Sequence, residues 1–380
     1  MKPLTDILQD LIRIPSASHH SNRAIIDYAT SAFHLAGWTT STFTYSDAAG
    51  VEKLSLIAAP PGQNCEQPLV DLALLCHTDT VPPSKDWVKA LEPFIEDGVL
   101  YGCGACDVKG FLACLLSAVA DKPNLAYSQE VRIVLTADEE IGCLGSHRLL
   151  AESRLRPRSL IIGEPTSLHP ARAGKGYCVG EIAIFGAEAH SAHPQRGRSA
   201  IYDAARVIQA VEQYAEKLAE EVNPLFDPPF TTINIGTVHG GTAKNIVPAE
   251  CRFLVEWRPI PGQSPEFIPD GIRRILDGLK RTHPALKHEF TIARRQSGFE
   301  TPPDSRLVQA VARLTGRDPI AIPFGSEASV FANVAEEILV FGPGDMRTAH
   351  SPRECVPVAE LEVAVACIKM LLQADHRTTS

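Results

Sequence analysis

The sequence predicts an α/β fold, a mainly parallel sheet covered by helices and interrupted by a smaller ferredoxin-like domain of βαββαβ order. Three observations carry that expectation. Short apolar runs at 72–76, 131–136, 160–162 and 339–341 lack polar alternation, as strands buried on both faces do. Helical patterns alternate with them. Between 174 and 290 the chain changes character and carries its own set of strand and helix patterns.

Taken in order, the chain opens on two helices. Thr5 is placed to cap the first, which ends near Pro15. Ser21 is placed to cap the second, whose inward face is Ile26, Ala29 and Phe33 and which Gly37 closes. Further helices are expected at 109–120, 145–153, 304–315 and 358–374. In the middle region the order is strand 178–185, helix 198–221, strands 231–238 and 247–257, helix 264–281 and strand 287–294. At 380 residues the chain exceeds one ordinary core, so two domains are expected. The expected division is a catalytic domain at 1–173 and 291–380, with 174–290 inserted into it.

Bulk composition is that of a folded globular protein, 44% hydrophobic and 21% charged. A net charge of −9 and the lack of any basic run argue against nucleic acid and anionic membrane as partners. No stretch of about 18 apolar residues is present, and the N-terminus lacks a secretory pattern. Ten cysteines are scattered singly except for Cys103-x-x-Cys106. No thioredoxin-like context surrounds that pair, so reduced thiols and a cytoplasmic location are expected.

The chemistry sits after the apolar runs. The first leads into His77-Thr-Asp79, the second into Asp138-Glu139-Glu140, the third into Gly163-Glu164, and the fourth into GPGDMRTAHSP with His350. Asp107 lies on the glycine-rich turn GCGACDVKG. Ligands of open α/β sheets bind at the carboxyl ends of strands, so these groups should converge. A solvated strand end explains any one of them, but not five together. Imidazoles with carboxylates suit zinc and its neighbours. Two ions about 3.5–4 Å apart need a bridging carboxylate, which Asp107 can supply.

The motifs LLCHTDTVP, YGCGACDVKGF, TADEEIG, IIGEPTS and GPGDMRTAHSP, in this order, resemble those of the dizinc aminoacylase and carboxypeptidase family. That family includes acetylornithine deacetylase, succinyl-diaminopimelate desuccinylase and the glutamate carboxypeptidases. The resemblance spans essentially the whole chain. It implies two divalent ions, most simply Zn²⁺ with Co²⁺ and Mn²⁺ sharing the same ligands. His77 and Glu164 would hold one, Glu140 and His350 the other, with Asp107 between. It also implies Asp79 as the acid that orients the His77 imidazole and Glu139 as general acid/base. The inserted domain would form a lid and a homodimer surface. From it His190 would reach a partner's site to stabilise the developing oxyanion. Asn245 would bind substrate, and Arg258 would take its α-carboxylate. The sequence departs from the family at Cys103, where Arg is common, and at Val108, where Met is common; neither position supplies a ligand.

Glu164, where aminopeptidase members have Asp, resembles the deacylases and carboxypeptidases. AGKGY (173–177), FGSEASVF (324–331) and LVFGPGDMRTAHSPRECV (339–356) resemble the acetylornithine deacetylase branch. Glu327 is expected to pair with the δ-ammonium of ornithine and to repel a succinyl carboxylate. The expected reaction is hydrolysis of N2-acetyl-L-ornithine to ornithine and acetate, a step of arginine synthesis. Desuccinylation of a diaminopimelate, or deacylation of another N-acyl amino acid, is the alternative. A non-catalytic, metal-stabilised binding protein would need Glu139 or a ligand to be missing, and none is.

Overall fold

The computed structural model describes residues 2–120 and 127–373. Helices α1 (Leu4–Arg13) and α2 (Arg23–Leu35) lead into strands β1 (Thr39–Ser46), β2 (Glu52–Ala59) and β3 (Leu69–His77). Next come β4 (Phe94–Glu96), β5 (Val99–Tyr101), α3 (Lys109–Ala120), β6 (Val131–Thr136), α4 (Leu144–Ala151), β7 (Arg156–Gly163) and β8 (Ala171–Gly174). The middle region holds β9 (Tyr177–Phe185), α5 (Ala200–Leu218), β10 (Thr232–Gly240), β11 (Glu250–Arg258), α6 (Phe267–Thr282) and β12 (Lys287–Gln296). The chain then forms β13 (Phe299–Glu300), α7 (Arg306–Thr315), β14 (Ile320–Ile322), α8 (Ala328–Phe331), β15 (Glu337–Phe341), β16 (Cys355–Pro357) and α9 (Val358–Gln373). Residue 374, the last of the expected 358–374 helix, lies outside the described residues. Among the described residues, one compact unit takes in 2–173, 300–320 and 326–373, and the other 174–299 and 321–325.

The first unit is built on a sheet of order β1-β2-β6-β3-β7-β15-β8-β13, with β14 beside β8. Its centre, β6-β3-β7-β15, is parallel. The four apolar runs of the sequence are these four strands. Their register sets His77 opposite Thr136 and Phe341 opposite Gly163, so their carboxyl ends finish level. The flanks are antiparallel, at β1-β2, β2-β6 and β15-β8. Helix α3 (KGFLACLLSAVA) is apolar nearly all round and buried along its length, packed against α1, α2 and α9, as such a helix must be. Thr5 lies inside α1, while Ser21 Oγ accepts from Arg23 N, the first N–H of α2, at 3.3 Å from one position before the cap. Helix α2 instead begins after Asn22, whose amide bonds Leu54 and Thr78 across the sheet. Gly37, at φ 80°, closes that helix as expected.

The second unit has the order βαββαβ. Its antiparallel sheet runs β10-β11-β9-β12. Ala204, Val207 and Val211 of α5 and Ile272 and Leu276 of α6 pack on Ile182, Phe253, Val255 and Trp257 of the sheet. Strand β12 crosses the expected boundary at 290, because its ladder with β9 continues to the pair Gln296–Tyr177. Among the described residues, no helix is long and apolar enough to cross a membrane.

Candidate metal centre

His77 is the last residue of β3 and is 1% exposed. Asp107 sits on the turn before α3, and its backbone N–H donates to Glu354 Oε1 at 3.1 Å. Glu139 and Glu140 follow β6, and Glu164 follows β7 directly. Gly163 precedes Glu164 without a Cβ because one built there would lie 2.1 Å from the Phe111 ring. His350, at φ 58°, comes from the loop after β15.

These five side chains form two groups that share one member. His77, Asp107 and Glu164 make the first, and Asp107, Glu140 and His350 the second; within each, the donor atoms lie within 4.8 Å of one another. Asp107 Oδ1 is 3.2 Å from His77 Nε2, while Oδ2 is 3.0 Å from His350 Nε2. His77 Nε2 is 3.9 Å from Glu164 Oε1, and His350 Nε2 is 3.1 Å from Glu140 Oε1. The shared carboxylate thus turns one oxygen to each imidazole. Two neutral-capable imidazoles with three carboxylates are a donor set that fits a pair of divalent cations.

The electrostatics point the same way. Burial disfavours the ionised form of Glu164 and, with Asp107, Glu139 and Glu140 nearby, pushes its carboxyl well up despite His77. Burial opposes charge on His77, but bonds to Asp107 and Asp79 and the charge of Glu164 hold its pKa well above the usual value. His350 is pushed up to about 10 by its bonds to Asp107 and Glu140. Asp107 stays low in spite of burial because both imidazoles face it. Glu139 is pushed up to about 8, first by burial and then by Glu140, Glu327 and Asp79, against His77. Acidic groups crowd together here, offset by protons on the imidazoles and on the raised carboxyls, and a cation pair would take the place of those protons.

Asp79 does more than face His77. His77 Nδ1 meets the backbone carbonyl of Asp79 at 2.9 Å and lies 3.7 Å from its carboxylate. That carboxylate also accepts from Glu139 N at 3.1 Å, Glu140 N at 3.3 Å and Ser18 Oγ at 2.7 Å. It therefore fixes the peptide groups of the acid pair. The Cys143 thiol donates to Glu139 Oε1 at 3.4 Å.

Glu327, expected to meet the substrate's δ-ammonium, is enclosed in this structure. It is 0% exposed, and its Oε1 accepts from Thr136 Oγ1 at 2.7 Å and Ser146 Oγ at 2.6 Å. Its Oε2 is buried without a hydrogen-bond partner. Its side chain does not cap α8 either. In the second unit, His190 and Asn245 are both exposed and lie on adjoining loops, with Ser191 N donating to Asn245 O at 3.0 Å. Arg258, at the end of β11, pairs with Glu256 at 2.8 Å, donates to Pro323 O and lies over the Tyr177 ring. Its guanidinium is half-buried and already carries a local ion pair.

Residues 73–374 match the family model described as Peptidase family M20/M25/M40. The chain belongs to that family. It is a metal-dependent amide hydrolase. The chain is 41% identical over 368 residues to the acetylornithine deacetylase of Myxococcus xanthus, covering 97% of this chain and 95% of that one. It is 32% identical over 391 residues to the acetylornithine deacetylase of Photorhabdus laumondii, covering 99% and 97%. Its fold resembles that of a Staphylococcus aureus tripeptidase, with a TM-score of 0.74 at 23% identity, over 98% of each chain. It likewise resembles an M20 family metallo-carboxypeptidase from Sulfolobus solfataricus, with a TM-score of 0.75 at 18% identity, over 98% and 99%.

Four supporting residues of this family member escaped the sequence reading. Ser18 holds Asp79. Lys53, 1% exposed, pairs with Asp138 at 2.9 Å, and Tyr45 donates to the same carboxylate at 2.8 Å. Glu354 accepts from the Asp107 turn. A lysine inside an otherwise buried strand was the available signal for Lys53, and an acid four residues after His350 the signal for Glu354.

Proposed function

We propose that this chain hydrolyses the amide bond of N2-acetyl-L-ornithine, giving ornithine and acetate, a step of arginine synthesis. The observation that carries the metal chemistry is Asp107, common to two donor groups. His77 and Glu164 would hold one Zn²⁺, Glu140 and His350 the other, with Asp107 shared. When bound, such a pair lowers the pKa of water towards about 7 and polarises a carbonyl. Glu139 takes the proton from the attacking water and returns it to the leaving amine. The Cys143 thiol donates to Oε1 of Glu139 and helps to hold the carboxyl in place. Asp79 keeps the Glu139 and Glu140 peptides in register through their N–H groups.

Support for the substrate comes from full-length likeness to relatives named acetylornithine deacetylase, not from Glu327, which is enclosed. Arg258 offers a guanidinium for the α-carboxylate if substrate displaces Glu256. His190 and Asn245 are the further polar groups of the second unit assigned to substrate, His190 to the oxyanion. Measuring kcat/KM on N2-acetyl-L-ornithine and on N-succinyl-diaminopimelate tests the reading. A preference for the acetyl substrate of a hundredfold or more, on the order of 3 kcal/mol, is expected; preference for the succinyl substrate contradicts it. The exposed edge strand β10 is a template for a second copy, and a homodimer through the second unit is the expected assembly. The ten cysteines form no disulfide in the structure, which suits a reducing cytoplasm.

A further inference from the structure

Glu354 belongs to neither donor group, yet it supports the member they share. Its side chain is 3% exposed, and its Oε1 accepts from Cys106 N at 3.2 Å and from Asp107 N at 3.1 Å. Its backbone carbonyl accepts from Gly102 N at 3.2 Å, at the start of the same turn. The next residue, Cys355, pairs with Tyr101 in β5, which leads into that turn. The stretch 350–357 therefore carries His350 at one end and clasps the Asp107 turn at the other. Asp107 has to present Oδ1 to His77 and Oδ2 to His350 at once. A carboxylate used from both oxygens tolerates little displacement of its own backbone. The N–H groups at 106 and 107 are the handles that fix this backbone, and one buried oxygen holds both.

We propose that Glu354 is the positioning residue that holds Asp107 between the two metal positions, so that both ions depend on it. The proposal rests on the two-ion reading above. Its test uses the full-length apo chain titrated with Zn²⁺ against a chromogenic chelator. E354Q keeps an acceptor oxygen at the same reach; E354D keeps the charge but draws the acceptor back by one methylene. Circular dichroism and a cooperative melt establish that each variant is folded. E354Q should bind both ions within about threefold of wild type. E354D should bind both about 10–100-fold more weakly. Wild-type affinity in E354D, a loss confined to one ion, or a loss in E354Q equal to that in E354D overturns the proposal. Amide hydrogen exchange on the apo wild type gives a second reading that needs no variant. The Cys106 and Asp107 amides should exchange slowly, and exchange at open-loop rates overturns the proposal too. If the wild type binds fewer than two Zn²⁺, the two-ion reading fails, while the exchange result still reports on the contact itself.

Discussion

Glu139 and Asp79 divide the work of one turn. Glu139 is enclosed, crowded by like charges and touched by a thiol. Replacing it with Gln keeps shape and burial but removes the proton site. E139Q should lose about 10²–10⁴-fold in kcat and keep its metal content by elemental analysis. Asp79 holds three donors with its carboxylate. In D79N an amide nitrogen faces at least one of them, leaving a buried donor unsatisfied at about 1–3 kcal/mol. The expected result is a lower melting temperature and lower kcat with both ions retained, since His77 leans on a backbone carbonyl. Loss of one ion in D79N would instead make the contact with the His77 imidazole the dominant role of the carboxylate. The five candidate ligands were legible because each follows a buried run or a glycine turn. The partners of Asp79 were not, because they depend on which peptide N–H groups the fold brings to it. The burial of Glu327 was hidden for the same reason.

Among the elements, the central parallel strands were legible because apolar residues on both faces leave no alternation to misread. The β1–β2 hairpin was not. Strand β2 carries Lys53 and Ser55 inside a run that is otherwise buried and apolar, and only the fold supplies their partners. Lys53 pairs with Asp138 and donates to the Ser18 and His20 carbonyls. It thereby ties β2 and the loop after α1 to the turn that bears Glu139. K53M leaves a buried carboxylate without its cation, and urea denaturation should show a loss of about 3–5 kcal/mol. The K53M/D138N double variant should recover most of it, because the uncompensated charge is then gone while Asn tolerates the φ of 60° and still accepts from Tyr45. A double variant no more stable than K53M would mean that the lysine acts through the loop carbonyls alone.

At the scale of the whole molecule, the first unit concentrates two imidazoles and several buried carboxylates at one edge of a sheet. Cations that bind this cluster in the folded chain add their binding free energy to its stability. Stripping metal with a chelator should therefore lower the melting temperature, and zinc readdition should restore it. Each ion contributes about 2.7 kcal/mol when free metal stands a hundredfold above its Kd. A melt indifferent to chelator would separate the cluster from metal binding. The order of the motifs made the family legible over nearly the full chain. The acyl group is less so, since the one residue read as discriminating, Glu327, is sealed inside the first unit.

The central claim is that Asp107 is shared between two divalent ions. Anomalous diffraction at the zinc edge, from crystals of the zinc-loaded chain, tests it most directly. Two peaks per chain are expected, both touching Asp107, one completed by His77 and Glu164 and the other by Glu140 and His350. A single peak, or a second ion that Asp107 does not reach, would contradict the account.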